Sequence, residues 1–306
     1  MSELPFGGYP PRISSNWGTL PQGLRLGTCS WKYNDWRGML YSQEKKPDHL
    51  AEYARTLDSV EIDQWFWSLH GPGKVTLPRD DVVQEYREAV PDSFRFSVKA
   101  PNSVSLSHYY GKSKSEPLAM NPHFLSGDLF DQFLSKLDPL GETLGPVMLQ
   151  FEYLNRQKMP SQHLFREALA VFAREFGARC HLALEIRNPN FLTDEYFEFL
   201  HENNLSHVFC QGYYMPSIAK IYSAQRDRLA GPVVIRLMGP DRKDIEKKAG
   251  NRWDRIVDPR DDELTAICEM VHDMLSRSIP VYVNVNNHYE GSAPLTISRL
   301  REKMGV

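Results

Sequence analysis

The chain has 306 residues, of which 41% are hydrophobic and 11% aromatic, enough to bury the core of one large α/β domain or of two ordinary ones. Its formal net charge of −3 gives no overall attraction to nucleic acid or to an anionic membrane, so neither partner is favoured. The first residues lack the apolar core of a signal peptide, and no run approaches the roughly 18 apolar residues of a membrane span. We therefore predict a cytoplasmic protein with no membrane contact.

The cysteines are far apart in the sequence and form no C-x-x-C pair. Most of them lie in apolar segments that are typical of strands or helices. This pattern predicts buried free thiols in a reducing compartment. They are Cys29, Cys180, Cys210 and Cys268.

Residues 1–23 contain several glycines and prolines and predict an irregular lead-in. From residue 24 to the end, short apolar segments alternate with segments of helical period. Strands are predicted at 24–30, 59–64, 94–99, 146–151, within 181–190, and at 205–211, 233–238 and 281–286. Helices are predicted at 48–56, 80–89, 128–136, 161–175, 193–200 and 261–276 and from about Pro294, and a weak helical stretch ends at about Ala230. Ser161 is the predicted N-cap of the helix at 161–175, and Thr193 is that of the helix at 193–200. The segments 100–124 and 239–260 are predicted to be a long loop and a mixed-charge connection.

The fifth predicted strand shows the pattern most clearly. Residues 182, 184 and 186 are apolar and share one face, whereas the other face carries Glu185 and Arg187. A helix pattern follows, with no hairpin signal between them. The apolar face should pack on helices, so the charged face should point into an enclosed space.

Eight such alternations favour a single-domain (β/α)8 TIM-type barrel over residues 24–306. A doubly wound open sheet is the alternative, but its strands are commonly apolar on both faces. The sequence also has neither a G-x-G-x-x-G fingerprint after the first strand nor a P-loop.

In a barrel, polar residues at the carboxyl ends of the strands converge on one mouth. The sequence places two groups there, one from strand ends and one from loops. The strand ends supply Glu61, Asp63, Lys99, Gln150, Glu185, Arg187, Arg236, Asn284 and Asn286. The loops supply Trp31, Tyr33, His108 and Asn287.

These residue types fit several chemistries. Glu61 and Glu185 could act as general acid and base, and Lys99, Arg187 and Arg236 could clamp a phosphate or carboxylate. Lys99 beside arginines could also have a lowered pKa and form a Schiff base. No H-E-x-x-H or H-x-H spacing is present, so no cofactor is predicted. A divalent metal is the alternative, with ligands from Glu61, Asp63, Glu185 and His108.

Several segments resemble the domain-of-unknown-function family 72, the YecE-like proteins. The matching segments are LGTCSWKY at 26–33, WRG at 36–38, VEID at 60–63, FSVKAP at 96–101, LQF at 149–151, EIRNP at 185–189, VIRLMG at 234–239 and NNHYEG at 286–291. The resemblance implies a TIM-barrel-like fold but no established activity. It implies characteristic polar positions at Glu61, Lys99, His108, Gln150, Glu185, Arg187, Arg236, Asn286 and Asn287. This chain departs from the family at Cys29-Ser30, where Ser-Gly is usual, and at Asp63-Gln64-Trp65, where Asn-Ser-Thr is usual.

Three functional hypotheses follow. The first is a hydrolase, lyase or isomerase for a small anionic or sugar-like substrate, with Glu61, Glu185, Lys99 and His108 as catalytic residues. Substrate contacts would come from Asp63, Gln150, Arg187, Arg236, Asn286, Asn287, Trp31 and Tyr33. The second is a metal-dependent phosphodiesterase or DNA-repair endonuclease. The third is a non-catalytic ligand sensor, and the sequence leaves the oligomeric state open.

Overall fold

The fold is a closed barrel of eight parallel strands that pair in sequence order, with the last strand hydrogen-bonded to the first. A computed structural model describes residues 13, 17–44, 47–71, 73–110, 117–229 and 231–306. This topology confirms the predicted (β/α)8 barrel and excludes an open sheet. The strands are β1 Leu24–Thr28, β2 Ser59–Ile62, β3 Arg95–Lys99, β4 Leu144–Gln150, β5 Leu182–Glu185, β6 Ser206–Gly212, β7 Val233–Gly239 and β8 Val281–Val285.

Helices surround the barrel and follow the strands in turn. In the described residues they are α1 His49–Tyr53, α2 Asp80–Glu88, α3 Asn102–Ser105, α4 Gly127–Leu137, α5 Gln162–Phe176, α6 Asp194–Glu202, α7 Ile218–Gln225, α8 Arg242–Ala249, α9 Asp261–Ser276 and α10 Ala293–Met304. Ser161 caps α5, as predicted, by accepting a hydrogen bond from the Leu164 amide. Thr193 occupies the N-cap position of α6 but makes no capping hydrogen bond with its side chain.

Among the described residues, two α-helices lie where the sequence predicted none. The helix α3 has four residues and lies in the predicted long loop. The helix α8 lies in the mixed-charge segment, where only Ile245 and Ala249 are buried, so its apolar stripe is too narrow to show a helical period. The predicted lead-in and the predicted helix end at Ala230 fall largely outside the described residues.

The strand alternation separates an apolar barrel interior from a polar layer above it. Met148, Ala183, Val208 and Val234 pack together inside the barrel. The next inward positions toward the carboxyl ends, two residues later on each strand, include Gln150, Glu185, Cys210, Arg236 and Asn284. The apolar residues therefore close the barrel below, and the polar residues lie at its mouth.

The structure confirms the prediction that the cysteines are free thiols. Cys29, Cys180, Cys210 and Cys268 are free, and all except the half-buried Cys180 are buried. Among the described residues, we find no helix that combines the length and the apolar character required to cross a bilayer.

Gly239 marks the point where β7 meets the loop after β8. Its φ is +80°, and a Cβ there would lie 2.2 Å from the carbonyl oxygen of His288. We expect Gly239→Ala to lower the free energy of unfolding by about 2–5 kcal/mol, because left-handed backbone strain adds to a clash with a packed main chain. Gly250→Ala is the matched control, since its φ is +62° but a Cβ would meet no described atom within 4 Å. Urea unfolding of both variants measures the difference, and equal losses would contradict the close approach.

Candidate active site at the barrel mouth

Arg236 lies at the centre of the polar layer and is only 2% exposed. Its Nε and Nη2 atoms donate to Oε2 and Oε1 of Glu61 at 2.8 and 2.7 Å, the bidentate geometry that suits a guanidinium. Its Nη1 atom donates to Glu185 Oε2 at 2.5 Å and to Gln150 Oε1 at 3.2 Å. One side chain from β7 therefore joins β2, β4 and β5 across the barrel.

Further contacts fix the two carboxylates in place. Asn284 Nδ2 donates to Glu61 Oε2 at 3.2 Å and to Ser97 Oγ at 2.9 Å. Glu185 forms a second ion pair, with Arg187. Burial alone would raise the pKa of Glu185, but Arg187 and Arg236 outweigh it and hold that pKa at about 2. Glu185 is therefore an ionised group at neutral pH.

Lys99 lies at the end of β3 and is 8% exposed. Its Nζ atom lies 3.8 Å from the centre of the Phe66 ring, a cation–π contact. Among the described residues, no carboxylate oxygen lies within 4 Å of this amine. Burial and the charge of Arg236 lower the pKa of Lys99, which the more distant carboxylates only partly offset. A Schiff base at this amine stays a prediction.

Asp63 follows β2 and lies beside Lys99 in the same cavity. Burial raises the pKa of Asp63 to about 6, and repulsion from Glu61 adds to this effect against the attraction of Lys99 and Arg236. The same environment raises the pKa of Tyr33 to about 12 through burial and the charge of Asp63. Asp63 is thus a carboxyl group that exchanges its proton close to neutral pH.

These groups line a pocket of about 830 Å³ at the carboxyl end of the barrel. The cationic residues in its lining are Lys99, Arg187, Arg236 and Arg242. The Arg187 guanidinium lies 4.6 Å from the centre of the Tyr213 ring. The other polar residues in the lining are Asp63, Gln150, Asn286 and His288, and aromatic side chains supply most of the remaining wall.

The sequence did not single out Arg242 and His288 as site residues. Arg242 begins the unpredicted helix α8, and its Nε donates to Glu246 Oε1 at 2.7 Å. His288 has its Nδ1 atom 2.6 Å from Asn286 Oδ1 and its Nε2 atom 3.4 Å from the same Glu246 oxygen. His288 lies in the NNHYEG segment, so the motif contained the only available signal.

Some predicted site residues lie away from the pocket wall. Glu61 and Glu185 are buried beneath it. His108 is buried in the loop after β3, where its Nδ1 atom lies 3.0 Å from Ser107 Oγ. Trp31 packs edge-on against Tyr86 and lines a separate cavity beside α1 and α2. Asn287 is also buried, and its Oδ1 accepts the first amide of α10 at 2.8 Å.

The residues that the sequence offered for a divalent metal do not fit one. Both oxygens of Glu61 accept hydrogen bonds from Arg236, and His108 is not part of the pocket lining. Across the described ranges, no three His, Cys, Asp or Glu side chains are grouped so that they could hold a metal ion. No catalytic step is therefore assigned to a metal here.

Comparisons with known proteins agree with this architecture. The family described as "Protein of unknown function DUF72" matches residues 25–306. UPF0759 protein YecE of Escherichia coli K12 is 25% identical over 170 residues, which are 55% of this chain and 50% of that protein. The chain thus spans about half the length of the curated relatives it matches.

Two solved structures share the fold over nearly the whole chain. A DUF72 family protein from Enterococcus faecalis V583 is 22% identical with a TM-score of 0.65, over 92% of this chain and 96% of that one. A DUF72 family protein from Thermotoga maritima MSB8 is also 22% identical, with a TM-score of 0.62 over 92% and 99% of the two chains. At this identity the likeness shows the fold alone.

Proposed function

The chain belongs to the DUF72 family, whose function is unknown, so we propose from the barrel mouth itself that it is an enzyme for a small anionic substrate. The observation that carries the proposal is the convergence of Lys99, Arg187 and Arg236 on one pocket that also holds Asp63. Buried charges are costly, and ion pairs alone would not require an open cavity above them.

The charge balance of the pocket favours an anion. Arg236 and Arg187 are paired with the carboxylates of Glu61 and Glu185. Lys99 has no such direct partner among the described residues, although Asp63 lines the same cavity. An anionic substrate would supply the missing negative charge beside the Lys99 ammonium and the outer face of Arg187.

Proton transfer is the chemistry that this pair of groups can perform. A carboxylate with a pKa of about 6 suits a general base that works near neutral pH. Lys99 would stabilise negative charge that develops on the substrate, in a site from which water is partly excluded. Hydrolases, lyases and isomerases all use such a step.

The sequence suggested Glu61 and Glu185 as an acid–base pair, but this proposal gives them a different role. Their oxygens already accept hydrogen bonds or ion pairs from Arg236 and Arg187. We assign them the positioning of those two guanidinium groups, which face the substrate. We also propose that the protein is located in the cytoplasm, a reducing compartment, because its cysteines are free thiols.

Binding of inorganic phosphate and of a library of phosphorylated and carboxylated metabolites tests the proposal. We expect at least one of these anions to bind, and Arg187→Met to weaken it by about 10- to 100-fold, the loss of a charged hydrogen bond. Arg179→Met is the control, because Arg179 is an exposed arginine that pairs with Asp131 on the outer surface. Isothermal titration calorimetry gives the affinities. The proposal fails if no anion binds, or if Arg187→Met and Arg179→Met bind anions equally well.

A further inference from the structure

Large aromatic side chains surround the opening of the pocket with their rings in solvent. We call them the aromatic rim, and they come from the loops that follow β2, β3, β4 and β6. Trp67 is 64% exposed, Tyr110 58%, Tyr153 59% and Tyr214 92%, and all four line the pocket. Each such ring could bury roughly 150–250 Å² against a partner, so their exposure together at one opening indicates an unmet contact.

Two aromatic rings deeper in the pocket differ, because cations already cover them. Lys99 Nζ lies over Phe66, and the Arg187 guanidinium lies over Tyr213. The rim rings have no cation over them in the described residues; Trp67 and Tyr110 contact each other at 6.4 Å and 45°. The pocket is thus layered, with Lys99 and Arg187 at its floor, and with free ring faces and the exposed Arg242 at its opening.

The backbone beneath Tyr214 adds a separate observation. Tyr213 and Tyr214 follow one another with φ values of 53° and 65°, a left-handed conformation that side chains rarely adopt. The turn places Tyr213 under Arg187 and leaves Tyr214 at the opening. Two consecutive residues in this conformation cost free energy, and such strain is concentrated at functional sites.

The size of the pocket exceeds what an inorganic anion requires. Its volume of about 830 Å³ lies within the range of roughly 300–1,000 Å³ that is found for organic ligands. From these observations we infer that the substrate joins its anionic group to a flat ring, which stacks on the aromatic rim while the anion contacts the floor. This inference rests on the proposed function, since it assigns the rest of the same substrate.

A flat ring fits the rim better than a sugar does. A sugar carries a hydroxyl group on most of its carbons and needs many hydrogen-bonding groups around it. Among the described lining residues, the side-chain amides are those of Gln150 and Asn286, and the oxygen of each already takes part in a hydrogen bond within the protein. Ring faces, in contrast, bind any flat aromatic group and are worth about 10-fold or more in affinity per stacked ring.

The test compares four phosphate probes by isothermal titration calorimetry on the full chain. They are 1-naphthyl phosphate, cyclohexyl phosphate, glucose 6-phosphate and inorganic phosphate. We expect 1-naphthyl phosphate to bind at least about 10-fold more tightly than each of the others. Trp67→Ala should remove most of that advantage and leave inorganic phosphate unaffected, whereas Trp67→Phe should retain part of it. Trp67 is mostly exposed, so these variants should fold normally.

The outcomes separate the two proposals. Equal binding of all four probes, tightest binding of glucose 6-phosphate, or no effect of Trp67→Ala would overturn the flat-ring inference and leave anion binding intact. Failure of every probe, inorganic phosphate included, would overturn the proposed function and the inference with it. A naphthyl preference that Trp67→Ala abolishes supports both.

Discussion

Replacement of Arg236 by methionine is expected to lower the free energy of unfolding by about 3–5 kcal/mol at about pH 7. Methionine cannot replace the hydrogen bonds to Glu61, Glu185 and Gln150, so Glu61 is left as a buried carboxylate whose remaining hydrogen-bond donor, within the described part of the chain, is Asn284. Glu185 keeps its pair with Arg187, so most of the loss should come from Glu61. Urea unfolding measures the change.

The loss should depend on pH in a defined direction. Arg187 and Arg236 both lower the pKa of Glu185, so the loss of Arg236 removes part of that lowering and part of the stability that it contributes. In the parent protein, the pKa of Glu185 is lowered to about 2, so its contribution stays complete above its unfolded value of about 4.5. That contribution is lost as pH falls from about 4.5 toward about 2, so the difference in free energy of unfolding between variant and parent should narrow over the same range.

Two further variants make this test specific. Arg242→Met removes a cation from the rim of the same pocket, but its partner Glu246 is not buried, so stability should change by less than about 1 kcal/mol. Addition of Glu61→Gln to the Arg236→Met variant should recover part of the loss, because the unpaired charge is then gone. Equal stability of Arg236→Met and the parent would show that the buried network is not formed.

Asp63→Asn is expected to reduce kcat by about 10²- to 10⁴-fold on the substrate that a metabolite screen identifies, since it removes the proposed general base. In the parent, kcat/KM should rise as pH increases through about 6, because the pKa of Asp63 is raised to about 6 and the base form is the deprotonated one. The variant should lose this rising limb.

Substrate affinity distinguishes this role from a structural one. The asparagine side chain of the Asp63→Asn variant has nearly the same shape as the aspartate, so KM and the unfolding transition should change little while kcat falls. Asp48→Asn is a matched control, because Asp48 caps α1 on the outside of the barrel. If every ligand that binds remains chemically unchanged over hours, with both the parent protein and the Asp63→Asn variant, the protein is a ligand sensor and the catalytic part of the proposal is wrong.

The barrel could be predicted because strand alternation leaves a direct trace in the sequence. The apolar parity of 182, 184 and 186 marks the face that packs on helices, and the opposite parity carries Glu185 toward the mouth. Because the carboxyl ends of all parallel strands meet at one rim, Lys99, Arg187 and Arg236 could be placed together without coordinates. The position of the polar layer at the barrel mouth therefore follows from the fold.

The loops could not be predicted in the same way, because their residues follow no period. Trp31 lies immediately after β1, yet the chain turns it against Tyr86 rather than toward the pocket. Arg242 enters the pocket from α8, whose capping residue Asp241 and terminal Gly250 were the only signals of a helix. Coordinates were also needed to show which carboxylates Arg236 pairs with. Strand alternation predicts which side chains share the polar layer, but not which of them form ion pairs.

A crystal soaked in sodium tungstate tests the central claim most directly, because tungstate is a tetrahedral dianion whose anomalous signal locates it without ambiguity. We expect a strong anomalous peak in the barrel mouth, within hydrogen-bonding distance of Lys99 Nζ or the Arg187 guanidinium, and loss of that peak in Arg187→Met crystals. Tungstate bound only on the outer surface, with the mouth filled by water at saturating concentration, would contradict it.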